Sequence, residues 1–360
     1  MAKSFKVNSS ISSYNVDIGN NISVDFLKGD YRDFILICDK DLISKYEFLS
    51  SHSKIIEVEA NELSKDLSEI SVVIKKLLEF SLKRGDTIIG VGGGVIQDIT
   101  CFVSSIYMRG VNWSYFPTTF LGMCDSCIGG KSSINVDGVK NLVGNFYPPQ
   151  NIIIDVDFIN SLPSEQIDSG ICEAIKICFA SAKDDSFEKI VSILDINADN
   201  KYLDIVELTL STKKWFIEND EFDQEERQLL NFGHTFGHAI EGSSNYAIPH
   251  GIAVGFGMLW SMFFSYKIYN YGNQPRVKKL QDRLLSIVDK YPDFKQVINS
   301  LDCEDVMLKF IKDKKHKVDK YTCILINEEG FLVKDFFNKD AEFDNLFATS
   351  LNDLKKIIND

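Results

Sequence analysis

A chain of 360 residues, 44% hydrophobic and 25% charged, is long enough for two domains with separate cores. Its net charge of -13 argues against broad binding to nucleic acid or to an anionic membrane, so a site for an anionic substrate must gather its basic residues locally. Eight cysteines without framework spacing, and a polar N-terminal stretch without an apolar segment, point to reduced thiols in a cytoplasmic protein that has no signal peptide.

In chain order, residues 34–38 form a short apolar run that ends at Asp39 and reads as a buried strand; 54–58 reads as another. Residues 67–84 carry Ile70, Val73, Ile74, Leu77 and Leu78 at helical spacing. Residues 86–91 read as a third strand, run into Gly92-Gly93-Gly94 and lead into a helix from Val95. Residues 151–155 read as a further strand. Strands alternating with helices imply a largely parallel sheet. Cys124-Asp125-Ser126-Cys127 has the CxxC form, but no second pair stands at zinc-ribbon spacing, so ordinary structural thiols are the better reading.

After Leu162-Pro163 long helical patterns dominate, over 164–182, 205–219, 229–242, 251–270 and 277–288. The uncharged stretch 251–266 falls short of the roughly 20 residues of a membrane span and reads as a buried core helix. Residues 321–326 and 330–333 read as a late hairpin. The boundary falls near Asn160, giving an α/β domain over 1–160 and a helical domain over 161–360.

Gly90-Val91-Gly92-Gly93-Gly94 follows a strand and opens a helix, which lets the backbone approach a pyrophosphate at the helix N-terminus. It is not a GxGxxG run, and a plain tight turn has the same form. Asp39 at a strand end suits ribose hydroxyls, although a lone aspartate there is more often a solvated turn residue.

Three of the five histidines, His234, His238 and His250, fall within a short stretch. His234 and His238 are four apart and share a helical face, and His250 precedes the next helix. Imidazoles suit zinc, and two histidines with one carboxylate is a common catalytic set. Glu173 is the carboxylate candidate, because it stands in an otherwise apolar helix and needs a partner there. Lys176, one turn on, is the competing partner. Spacing alone does not choose among the three histidines. Arg109, Lys131, Lys140 and Asn141 stand in glycine-containing turns, where backbone and ammonium groups suit a phosphate.

Taken together these pieces resemble the 3-dehydroquinate synthase family of sugar-phosphate cyclases, from about Asp39 to Val333. The motifs stand in family order: 92–98, Arg109-Gly110, Pro117-Thr118-Thr119, 125–131, Lys140-Asn141-Leu142, 173–176, 227–238, His250-Gly251 and Asp313-Lys314-Lys315. The resemblance implies a Rossmann-like α/β N-terminal domain, an all-α C-terminal domain, an active site between them and a homodimer. It implies NAD and a divalent metal, zinc or cobalt, as cofactors. Glu173, His234 and His250 match the metal ligands, which moves His238 to the substrate. Asp39, Glu62, Lys65, Gly93, Gly94, Asp98, Thr118, Thr119 and Lys140 match positions that hold NAD. Asp125, Lys131, Asn141, Lys176, Lys213, Arg227, Asn231, His238 and one of Lys314 or Lys315 match substrate positions. Arg109 matches an arginine that reaches the neighbouring subunit's phosphate.

Several positions depart from the family pattern. Gln97 stands where glycine is usual, Ile252 where a His-Gly-Glu-Ala run is usual, and Asp223 where glutamate is common; 144–149 also differs. The implied reaction converts 3-deoxy-D-arabino-heptulosonate 7-phosphate to 3-dehydroquinate and phosphate, by transient oxidation, β-elimination, reduction and intramolecular aldol closure. It belongs to the shikimate pathway of aromatic amino-acid biosynthesis. A sister cyclase making an amino-dehydroquinate or a cyclitol is the first alternative; Arg227, Asn231 and His238 favour a carboxylate substrate against the cyclitol enzymes. A metal-dependent polyol dehydrogenase is the second, and the basic phosphate cluster argues against it. A silent binding protein is a third, and the intact ligand set argues against that.

Overall fold

The computed structural model describes residues 3–29 and 34–359. The chain divides into two compact units, one of Met1–Leu162 with Ala198–Phe222, the other of Pro163–Asn197 with Asp223–Asp360.

Among the described residues the first unit is built on nine strands. These are β1 (Lys3–Val7), β2 (Tyr14–Gly19), β3 (Phe34–Asp39), β4 (Ile55–Val58), β5 (Thr87–Gly92), β6 (Asn112–Pro117), β7 (Ile134–Val136), β8 (Val139–Val143) and β9 (Asn151–Asp155). Seven of them form one sheet in the order β1-β2-β9-β6-β5-β3-β4, parallel except for the β1–β2 pair. Strands covered on both faces read as unbroken apolar runs, which is why β3 and β5 stand out in the sequence. Phe34, Leu36, Cys38, Ile89, Val91, Phe116 and Ile153 pack into one core. The β7–β8 hairpin pairs separately and carries a register shift.

The helix Leu67–Glu79 starts on Asp66, whose side chain accepts from Ser68 N, and buries Ile70, Val73 and Leu77. It is shorter than the expected 67–84. Ser81 takes φ 58°. Leu82 N then donates to Leu77 O at 3.1 Å, a left-handed cap that ends the helix before Leu82.

The helix Lys201–Asn219 corrects the assignment of all of 161–360 to one domain, because it belongs to the first unit. Its charged side chains explain the placement. Lys3 pairs with Asp204 at 3.1 Å and with Glu207, and Lys213 pairs with Asp125.

The second unit is mainly helical, with one hairpin among the described residues, β10 (Lys320–Ile326) and β11 (Leu332–Asn338). At its centre runs the helix His250–Tyr269, long and apolar enough to cross a membrane, yet 78% of its most apolar window is buried inside the protein. Its polar groups are satisfied there: Trp260 Nε1 donates to Ser350 Oγ at 2.8 Å, and Ser261 Oγ to Ile324 O at 2.9 Å. Around Trp260 pack the tilted rings of Phe236 and Phe347, with Phe310 and Phe343 beyond. The expected single helix over 229–242 is two pieces, a 3-10 turn Glu226–Asn231 and an α-helix His234–Ser243. Gly233, at φ 74°, is the break. That left-handed turn makes His234 the first residue of a new helix.

Candidate metal centre and substrate-side clusters

Glu173 is fully buried on the helix Ser164–Ala180. One of its oxygens, Oε2, is paired with the buried Lys176 Nζ. The other, Oε1, has no hydrogen-bond partner among the described residues. It faces His250 Nε2 at 3.4 Å and His234 Nε2 at 3.6 Å. A buried carboxylate oxygen left bare costs several kcal/mol unless a cation or donor meets it. Two imidazole nitrogens converging on the same atom are the chemistry of a metal site.

The outer contacts point both nitrogens inward. His250 Nδ1 donates to Glu241 Oε2 at 3.1 Å, and His234 Nδ1 to Phe232 O at 3.4 Å, so the Nε2 of each ring is turned toward Glu173. Burial, with the charges of Lys176 and Lys315, holds His234 well below the usual imidazole range. Burial also opposes charge on His250, but the carboxylates of Glu173 and Glu241 outweigh it and push that ring up to about 10. The carboxylates at His250 favour a cation, while burial and the two lysines keep His234 neutral.

Close packing brings these side chains together. Gly251 N donates to Ser169 Oγ at 2.8 Å. A Cβ at Gly251 would lie 2.0 Å from Ser169 O, so only glycine lets the start of the helix His250–Tyr269 meet the helix that carries Glu173.

His238 shares the helix with His234, and the three imidazoles bring their ligand nitrogens within 4.8 Å of one another. Ring spacing therefore does not single out two of them. Glu173 separates them, because its contacts go to His234 and His250, while His238 Nδ1 faces Asp313 Oδ2 at 3.6 Å. Burial works to raise the Asp313 carboxyl, but His238 and Lys315 hold it far below the carboxylate range. Lys315 is partly buried, and its charge acts on Asp313, Lys176, Asp223 and Glu173; Lys314 is exposed. Asn231 and Lys315 line a cavity of about 270 Å³ with Thr235, Gln228, Lys334 and Phe336. Arg227 is buried in the 3-10 turn that ends at Asn231. Sequence reasoning passes over Glu241, although it stands seven residues after His234 on the same helical face.

In the first unit the residues that the resemblance assigns to NAD lie on several elements. Gly93 caps the helix Gly94–Ile106, whose first turn has no side-chain cap and no acidic residue. A Cβ at Gly94 would meet nothing within 4 Å, so the backbone at this helix start adjoins open space. Thr118 N donates to Gly92 O at 3.0 Å, and Thr119 Oγ1 accepts from Gly122 N at 3.1 Å. Asp39 ends β3 and accepts from Asp41 N at 3.1 Å; burial raises its carboxyl. Lys65, nearly buried, binds Asp98 at 2.9 Å and Glu62 at 3.3 Å, and donates to Asn141 Oδ1 at 3.0 Å. Burial lifts the Asp98 carboxyl to about 6 in spite of Lys65.

Asp125 sits in a π-helical turn, Gly122–Ser126, a form often found at functional sites. Lys213 binds both its carboxylate and its carbonyl. Lys131 follows at the end of that segment, its ammonium 5.7 Å from the Phe146 ring. Lys140 and Asn141 lie on β8, Asn141 at φ 53°. Arg109 is exposed, at φ 66° beside Met108 at φ 49°; two left-handed non-glycine residues in a row are strained backbone of the kind kept at functional turns. Cys124 and Cys127 are both buried, and neither is in a disulfide.

Residues 55–169 match the family described as 3-dehydroquinate synthase N-terminal, and 170–316 the family described as 3-dehydroquinate synthase C-terminal. The chain is 38% identical to a 3-dehydroquinate synthase of Dictyoglomus thermophilum, over 88% of this chain and 90% of that one. It is 33% identical to one of Staphylococcus carnosus, over 96% and 98%. Among solved structures, a 2-deoxy-scyllo-inosose synthase complexed with carbaglucose-6-phosphate, NAD+ and Co2+ superposes with a TM-score of 0.82 at 23% identity, over 96% of this chain and 99% of that one. A 2-epi-5-epi-valiolone synthase of Streptomyces hygroscopicus with NAD+ and Zn2+ bound follows at 0.80 and 20%, over 98% and 100%. These two share the fold, and the sequence relatives carry the family: the chain belongs to the 3-dehydroquinate synthase family.

Proposed function

We propose that the chain is a 3-dehydroquinate synthase, a phosphate-eliminating lyase that turns 3-deoxy-D-arabino-heptulosonate 7-phosphate into 3-dehydroquinate within aromatic biosynthesis. The observation that carries the reading is the bare Glu173 Oε1 between His234 Nε2 and His250 Nε2, in a chain 38% identical to a 3-dehydroquinate synthase. Glu173, His234 and His250 are the metal ligands in this reading, for zinc or cobalt. Asp39, Glu62, Lys65, Gly93, Gly94, Asp98, Thr118, Thr119 and Lys140 hold NAD. When bound, NAD supplies hydride exchange and the metal supplies Lewis acidity.

The chain's own residues bind, orient and move protons. Arg227, planar and buried, and Lys213 take the substrate carboxylate. Lys131, Asn141, Lys315 and Arg109 take the phosphate, with Arg109 acting on a partner subunit of a homodimer. Lys315 is preferred to Lys314 because its charge acts on the histidine cluster. Asp313 Oδ2 faces His238 Nδ1 at 3.6 Å and favours the proton on that nitrogen, which leaves Nε2 as the acceptor for a substrate hydroxyl proton. Asn231 and Asp125 orient hydroxyls, and Lys176 anchors Glu173. The cell compartment of this reading is the cytoplasm.

The deciding assay supplies the heptulosonate phosphate, NAD+ and zinc, and follows phosphate and net NADH. Phosphate without net NADH is expected. Absence of phosphate would turn the assignment to a sister cyclase, and net NADH to a dehydrogenase. His250→Ala is expected to lose metal and turnover together; full turnover in the metal-free protein would overturn the ligand assignment.

A further inference from the structure

The segment from Asp125 to Lys131 is gripped at both ends by side chains with no place in the reaction described above. At its start, Gln97 Nε2 donates to Ser126 O at 2.6 Å, and Ser126 Oγ donates to Gln97 Oε1 at 2.6 Å. Only one orientation of the amide serves both bonds, and Gln97 is just 4% exposed. The partner residue closes the π-helical turn that carries Asp125. At the far end, Ser132 Oγ donates to Asn145 Oδ1 at 2.7 Å, and Asn145 Nδ2 donates to Ser105 Oγ at 2.6 Å. The backbones join as well, Ser132 N to Asn145 O at 2.9 Å. Phe146, next in sequence, lies beneath the Lys131 ammonium and packs edge-on against Phe222 at 5.2 Å.

Gln97 and Ser105 stand on the same helix, Gly94–Ile106. Both grips therefore lead to a single rigid element. A buried amide held by bonds at both of its ends fixes its partner in one geometry, and the cost of losing such bonds is large enough to show.

We propose that Gln97 and Asn145 are positioning residues that clamp the segment 126–132 at its two ends, and so set where Asp125, Lys131 and Lys213 present their charges to an anionic sugar. The kinetic arm of the test rests on the sugar-phosphate reading; the exchange arm does not.

Gln97→Met and Asn145→Leu keep side-chain size and remove the bonds. In the zinc- and NAD-loaded enzyme each is expected to raise KM for the heptulosonate phosphate by about tenfold, with kcat and the Kd for NAD+ changed by less than about threefold. In an Asp125→Asn background, Gln97→Met should add less than about threefold to the loss. Without substrate, amide exchange over 122–132 should quicken about five- to tenfold in both variants, with β5 unchanged. Ser126→Ala, which removes only the hydroxyl half of the pair, should move the same readouts in the same direction and serves if Gln97→Met does not fold. Folded variants with unchanged exchange and unchanged KM would overturn the clamp, as would a Gln97→Met loss that persists in full without the Asp125 carboxylate. A wild-type enzyme that releases no phosphate while its variants exchange faster would refute the substrate and uphold the clamp.

Discussion

Glu241 accepts a hydrogen bond from His250 Nδ1 at 3.1 Å and thereby turns the ring's other nitrogen toward Glu173. Outer partners of this kind typically account for ten- to a hundredfold in metal affinity. Glu241→Ala is therefore expected to weaken zinc binding by about ten- to a hundredfold. Competition with a chelator measures it. An unchanged affinity would mean that Glu241 does not orient His250.

Lys176 neutralises one oxygen of a carboxylate that has no solvent around it. Removing one member of a buried ion pair costs about 3–5 kcal/mol, because the other charge stays behind. Metal-free Lys176→Met should melt well below the metal-free wild type, and zinc should recover more stability in the variant than in the wild type. Differential scanning fluorimetry with and without zinc reads both.

Lys315 and Lys314 make a clean contrast, one acting on the histidine cluster and the other exposed. If Lys315 binds the substrate phosphate as proposed, Lys315→Met should lower kcat/KM by about a hundredfold, the worth of a charged hydrogen bond. Lys314→Met should stay within about threefold of wild type. Equal losses would remove the distinction.

Asp98 gives a pH dependence with a definite sign. Its carboxyl is raised by burial to about 6 in the folded protein, above the ordinary value near 3.9. The folded state thus keeps a proton that the unfolded state releases, so this contribution to stability is full below about pH 4 and is lost as pH rises toward 6. Relative to Asp98→Asn, the cofactor-free wild type should lose stability across that window, by about 1–3 kcal/mol in all, since a tenfold difference in proton affinity is worth roughly 1.4 kcal/mol. Denaturant midpoints at pH 4, 5 and 6 test the slope.

Gly251→Ala should affect two properties at once. The added methyl would press on Ser169 O, at a cost of about 1–3 kcal/mol, and the backbone shift would carry His250 away from Glu173. Melting temperature and zinc affinity are both expected to fall. A fall in the first alone would show that the helix relaxes without moving its ligand.

Much of the first unit was legible because buried parallel strands leave continuous apolar runs, as at 34–38 and 86–91. β1 escaped because it is five residues of alternating exposure at the sheet edge, and β6 because Asn112, Ser114 and Pro117 dilute its apolar signal. The return of Lys201–Asn219 to the first unit depends on pairs such as Lys213 with Asp125, which are far apart in sequence and invisible to local pattern. The break at Gly233 has the same origin, since a left-handed glycine inside a helical pattern is read as a tolerated glycine until packing is known. At the site, histidine scarcity pointed to the cluster, but spacing could not rank three rings whose ligand nitrogens lie within 4.8 Å. The buried carboxylate ranks them, and its free oxygen is a fact of three dimensions.

His250 is the first residue of the helix that forms the centre of the second unit. An imidazole mounted on the end of such a post inherits its stiffness, so repacking around Trp260 or Phe264 is expected to reach it along the axis. Zinc affinity in this protein should then behave as a strain gauge for a core many residues away, responding to substitutions that touch neither metal nor substrate.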